Sequence, residues 1–157
     1  MTKRILENLS RQHQALKVLK LLQEEEFTHL MQSRPQSVAV LELSIQELMR
    51  QIMAERQDVR RMVRILNPAS VRLTELSEIF GEGWSLVKGL LERIHTLEQY
   101  CAKQAEKSHI LASALHDQTR GYVNFFTRKL TPKKQSYGPR GVFGNAKPAP
   151  AMLRGTL

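Results

Sequence analysis

Glu26 and His29, and again Glu92 and His95, stand three residues apart. That spacing puts a carboxylate and an imidazole on one face of a helix, and paired copies of it in a four-helix bundle hold di-iron sites. Glu55 would add a further carboxylate. Chance accounts for the matches: 13 Glu and 5 His in 157 residues give about 0.4 such pairs at random. A di-iron site also needs four helices, each supplying a carboxylate. His109 and His116 are seven residues apart, about 10.5 Å along a helix and too far to share one ion. Cys101 has no base beside it in sequence and reads as a small hydrophobe. The chain has no phosphate loop, nucleophile elbow or Cys-x-x-Cys pair. No enzyme activity, cofactor or metal is expected.

The residues that could matter are therefore those that position surfaces. Hydrophobic content is 41% but aromatic content only 6%, which favours helices packed through aliphatic side chains. Proline at 35 and 68 sets the breaks, because it removes a backbone donor and disfavours helix in the residue before it. Ser37 and Ser70 are the expected N-caps of the helices that follow. The first helix, about 3–33, places Ile5, Leu9, Leu16, Leu19 and Leu30 on a four-three seam flanked by Leu22 and Phe27. The second, about 37–66, carries Val38, Leu41, Ile45, Leu48, Ile52, Val59, Met62 and Leu66, with Glu55 the one exception. The third, about 70–129, meets Gly81-Glu82-Gly83, which predicts a kink or short break. Beyond it Val87, Leu90, Ile94, Leu97, Cys101, Leu111, Leu115, Tyr122 and Phe125 continue the seam, with Gln104, Ser108 and Gln118 at seam positions too.

The expected fold is all-α: an elongated antiparallel three-helix bundle or coiled coil over 1–130, with a disordered, flexible, basic Pro/Gly-rich tail over 131–157. Helices 1 and 2 would each span ~45 Å and residues 84–129 ~70 Å. About 105–129 must then project, bend back or be covered by a partner. Ile110, Leu111, Leu115, Tyr122, Val123, Phe125 and Phe126 fall in that overhang. They are the candidate surface for a partner's amphipathic helix.

Charge divides the chain as sharply. Residues 1–117 carry 16 basic and 15 acidic groups; residues 118–157 carry eight basic groups and no acid. Such a tail could bind phosphate backbones, with Tyr122, Phe125, Phe126, Tyr137 and Phe143 stacking on bases. Its charges are diluted by Pro and Gly, and no nucleic-acid motif accompanies them. No nucleic-acid partner is expected. Glu7, Asn8, Ser10, Arg11 and Gln12 interrupt any signal-like start, and no apolar run reaches membrane-spanning length. With a single cysteine, the expected setting is cytoplasmic, without membrane insertion.

Three features resemble the FlgN-type flagellar export chaperones. Leu21-Leu22-Gln23-Glu24-Glu25-Glu26-Phe27-Thr28-His29-Leu30 is similar to the family's Leu-Leu-x-x-Glu-x-x-x-x-Leu stretch in helix 1. The plan of long helix, break, Leu/Gln/Arg-rich helix, break and longer third helix also matches. Ser136-Tyr137-Gly138-Pro139-Arg140-Gly141 is similar to the family's Tyr-Gly-x-x-Gly tail motif. Arg140 stands where members often have an acid, and Ala105-Glu106-Lys107-Ser108 where they often have an Asn-rich turn.

The resemblance implies a cytoplasmic chaperone for hook–filament junction (hook-associated) proteins. It would hold their helical segments on Ile110, Leu111, Leu115, Tyr122, Phe125 and Phe126 and deliver them to the flagellar export gate. Tyr137, Gly138 and Gly141 would dock at the gate, with Gly138–Gly141 as a β-turn that presents Tyr137. A homodimer of the free protein stays open. So do two other readings: a coiled-coil adaptor or structural protein of another pathway, and a basic-tailed nucleic-acid binder.

Overall fold

Pro35 ends one helix and begins the next. In a computed structural model of the chain, which describes residues 1–69 and 72–130 and the backbone of 135–137 and 143–145, α1 runs Thr2–Met31 and α2 runs Pro35–Leu66. Proline suits the first helical position, where its missing N–H would have had no partner. The turn between them closes α1 from the chain itself: Ser33 N–H donates to the Leu30 carbonyl and Arg34 N–H to the His29 carbonyl, both at 3.0 Å. Ser33 adopts a positive φ of 52° to make this possible. Arg34, not the expected Ser37, is the N-cap, and it makes no side-chain cap bond. Ser37 is already inside the helix because Pro35 starts it two residues earlier.

The third stretch begins differently from the sequence expectation. Ser70 lies outside the described residues, and the chain resumes as a 3-10 turn at Leu73–Leu76 that packs against α2. A four-residue α3, Ser77–Phe80, and a second 3-10 turn, Gly81–Gly83, precede α4, Trp84–Leu130. The break expected at Gly-Glu-Gly is present, and Gly81 takes φ 52°, which a side chain would strain. Phe80 and Trp84 bracket it with ring centroids 6.0 Å apart. α4 is a 47-residue helix.

The chain divides into two compact units, Met1–Ser113 and Ala114–Leu157. In the first, α1, α2 and the start of α4 form the expected antiparallel three-helix bundle. Asn8 reaches Glu55 across α1 and α2, the Cys101 thiol reaches the Leu16 carbonyl across α4 and α1, and Arg56 pairs with Glu98 across α2 and α4. The heptads account for the core. α1 buries Ile5, Leu9, Gln12, Leu16, Leu19, Gln23, Glu26 and Leu30 in an unbroken four-three alternation. α2 buries Ile45, Ile52 and Val59, and α4 buries Val87, Ile94, Cys101 and Ser108, each every seventh residue. α1 buries the wider face because both other helices lie against it. Near the end of α2, Val63 is buried more deeply than the expected Met62. A helix of 3.6 residues per turn drifts against a strict seven-residue repeat, and here the drift brings the next position inward.

In the second unit α4 continues to Leu130. Gln135–Tyr137 (β1) and Phe143–Asn145 (β2) then pair antiparallel, with Tyr137 opposite Phe143. They lie within the stretch expected to be irregular. The remainder of 131–157, including Gly138, Gly141 and the expected β-turn between them, lies outside the described residues.

Candidate functional site

Burial along α4 ends at Ser108. The seam continues in the sequence through Leu111 and Leu115, both half-buried, and then fails, since every residue from His116 to Leu130 is exposed. The expected seam position Gln118 is on the surface with the rest. Ile110 and Leu111 belong to the first unit, while Leu115, Tyr122, Phe125 and Phe126 belong to the second.

Of the six expected partner-binding residues, the helix brings three together. Tyr122, Phe125 and Phe126, with Gln118, surround a shallow apolar hollow at Gly121. A side chain at Gly121 would meet nothing, so the missing Cβ leaves the hollow open. Phe125 and Phe126 are each 55% exposed and meet edge to face with centroids 5.7 Å apart. Lys129 Nζ lies 5.9 Å from the Phe125 centroid, a cation over a ring face. Gln118 Nε2 donates to the Tyr122 hydroxyl at 3.3 Å and orients the phenol. Thr119 and Thr127 turn their hydroxyls back to donate to the Leu115 and Val123 carbonyls. A run of aromatics this exposed needs a reason, because large apolar surface in water is costly. For Tyr137 the structure describes the backbone alone, and Gly138 and Gly141 lie outside the described residues.

The residues with chemical potential find structural partners. Glu55 is bound by Arg11 at 2.7 and 2.9 Å. That hydrogen bond holds its carboxyl below the usual carboxylate range and raises the guanidinium in turn. Asn8 donates to both the Glu55 carbonyl and its carboxylate, and Gln12 Nε2 donates to Asn8 Oδ1 at 2.6 Å. His29 lies 3.7 Å from Glu25 rather than joining Glu26 in a site, and His95 meets Gln99 at 2.9 Å. Burial pushes the Cys101 thiol up, which suppresses the thiolate a nucleophile would need. Among the described residues, no three His, Cys, Asp or Glu side chains are placed to hold a metal ion.

One group was missed in the sequence. Gln23 and Glu26 on α1 are buried at the end of the bundle where α4 contributes Gln104 and Ser108. Extending the α1 four-three seam from Leu19 to Leu30 lands on positions 23 and 26, so the same arithmetic would have found both. The Glu26 carboxyl is pushed up to about 7, first by burial, then by hydrogen bonding to and repulsion from Glu42 on α2. Ser108 Oγ lies near enough to oppose the rise but short of hydrogen-bond geometry.

No helix among the described residues is long and apolar enough to cross a membrane. Neither the curated proteins nor the solved structures give a match to the chain. The FlgN protein family model matches residues 1–142, a span that takes in all three bundle helices and ends just past Gly141. The chain is thus a member of the FlgN family, the chaperones of flagellar export.

Proposed function

We propose that this chaperone binds helical segments of hook-associated proteins on the second half of α4 and delivers them to the export gate from the cytoplasm. The observation that carries the reading is the exposed cluster Tyr122, Phe125 and Phe126 around Gly121, on a helix whose first half is buried. An assembly protein awaiting export carries an amphipathic helix that would associate prematurely. Covering it removes apolar area from water on both partners, at about 25 cal/mol per Å² before ordering costs. Leu115, in the same unit, falls on the Tyr122 side of the helix, and Ile110 and Leu111 are the further apolar residues assigned to the client. Binding of this kind is reversible, as release at the gate demands.

The body, residues 1–130, would then carry the client, and the basic tail, 131–157, would carry the docking signal. Tyr137, Gly138 and Gly141 supply it: an aromatic anchor beside two residues free to turn. FlgN is a chaperone family and not an enzyme family, and the role proposed here needs no cofactor. The test is co-purification with candidate hook-associated proteins, for wild type and for Phe125→Asp. Equal capture by both would move the client surface elsewhere.

A further inference from the structure

The bundle contains two buried polar layers, and they are not equivalent. The layer nearer the start of α1 is closed: Asn8, Gln12, Arg11 and Glu55 satisfy one another through five hydrogen bonds. The layer at the other end holds Gln23, Glu26, Gln104 and Ser108, all more than nine-tenths buried. Its bonding is incomplete. Gln23 Oε1, Ser108 Oγ and, one turn beyond, His29 Nδ1 are buried without a partner. Each such atom forgoes water without replacement, which disfavours the closed layer. Beyond this layer the packing thins. α2 has no buried residue before Ile45, and α4 has none after Ser108.

Glu26 sits in the middle of that layer, only 6% exposed. From α2 the group acting on it is the Glu42 carboxylate, and from α4 the uncharged Ser108; no Lys or Arg is among them. Its own helix offers His29, which is turned toward Glu25. An ionised Glu26 would be a buried anion facing the Glu42 carboxylate.

We propose that the Gln23–Glu26–Gln104–Ser108 layer is the point at which this end of the bundle opens, and that a proton on Glu26 holds it shut. Opening would separate the first turns of α2 from α1 and from α4 around residues 101–113. It relieves the carboxylate pair and hydrates the orphaned polar atoms, while the closed layer at Asn8 and Glu55 keeps the rest of the bundle together. If the reading of α4 as client surface holds, opening also uncovers Leu111, one of the residues assigned to the client. The opening itself does not depend on that reading.

The sign follows from proton linkage. Glu26 binds its proton more tightly closed, at about 7, than its ordinary value of 4.5. The closed form is therefore favoured most at low pH, loses ground as pH rises from 4.5 through 7, and changes little above.

Hydrogen exchange on the full-length chain at pH 5, 6, 7 and 8, corrected for intrinsic exchange rates, tests this. Segments 36–45 and 101–113 are expected to lose protection by up to tenfold per pH unit between 5 and 7, then level off. Segments 5–12, 55–63 and 87–94 should not follow. Glu26→Gln should abolish the pH dependence. Glu42→Gln, an exposed position that leaves the fold intact, should move the loss to lower pH and shrink it. A wild-type profile in Glu26→Gln, an unchanged profile in Glu42→Gln, or equal loss in both sets of segments would overturn the proposal. Loss of client binding with the exchange pattern intact would count against the α4 reading alone.

Discussion

The two halves of α4 are one continuous helix with opposite fates. From Trp84 to Ser108 it buries Val87, Ile94, Cys101, Gln104 and Ser108 in the bundle formed with α1 and α2. From His109 to Leu130 the helix is as regular and richer in aromatics, yet nothing in it is buried. Helix formation and helix burial are thus separate decisions. The backbone pays its own hydrogen bonds along the whole length, while side chains are buried only where α1 and α2 run alongside. What distinguishes the second half is that Tyr122, Phe125 and Phe126 are spaced to cover something and are left exposed among the described residues.

That contrast can be broken at its two ends. Val87 is fully buried, so Val87→Asp places a charge in the core with no partner. We expect a loss of roughly 4 kcal/mol or more, enough to unfold the bundle. Loss of the helical circular dichroism signal at ambient temperature would record it. Retention of a normal melting transition would mean that this half of α4 is not core.

The next effect in size is the pH dependence of stability. In denaturant titrations the wild type should be most stable toward pH 4.5–5 as far as Glu26 is concerned. It should lose on the order of 2–3 kcal/mol of that contribution by pH 7. Glu55 acts in the opposite sense: its carboxyl is held low, so its contribution is present at neutral pH and fades as pH falls through the acid range. Comparing Glu26→Gln with wild type isolates the first term, and identical pH profiles for the two would remove it.

Phe125→Asp and Leu115→Asp should leave helicity unchanged and stability within about 0.5 kcal/mol of wild type, since Phe125 is exposed and Leu115 half-buried. Capture of a hook-associated client should weaken ten- to a hundredfold, the effect of losing one or two apolar anchors. If both variants unfold the protein instead, the second half of α4 belongs to the core after all.

The smallest effect is assigned to the tail. Tyr137→Ala should leave client capture untouched and weaken docking at the export gate about tenfold, independent of salt. If charge alone mattered, neutralising Lys133, Lys134 and Arg140 would abolish docking in a salt-dependent way, and Tyr137→Ala would be silent.

Much of this architecture was legible in the residues. Pro35, Pro68 and Gly81-Glu82-Gly83 marked the breaks, and α2 ends at Leu66 just before Asn67-Pro68, because neither a missing N–H nor a flexible glycine pair sustains a helix interior. The four-three spacing of Ile5, Leu9, Leu16 and Leu19 named the core face of α1, and Ile45, Ile52 and Val59 that of α2. The arithmetic of helix lengths placed Tyr122, Phe125 and Phe126 beyond what two shorter helices could cover. The Tyr-Gly-x-x-Gly motif and the helix plan carried the family.

Other features depended on how the helices meet. Nothing in the spacing tells whether a polar seam residue will be satisfied. Gln12 and Glu26 occupy equivalent positions on α1, two heptads apart, yet Gln12 finds Asn8, with Arg11 and Glu55 completing the layer, while Glu26 faces the Glu42 carboxylate and a Ser108 hydroxyl short of hydrogen-bond geometry. The choice between Met62 and Val63, a matter of tens of degrees of helix rotation, was likewise made by packing. The one-dimensional pattern therefore determined which residues form helices and which faces turn inward. Which buried polar groups gain partners was decided by the neighbours that three helices in register bring to them.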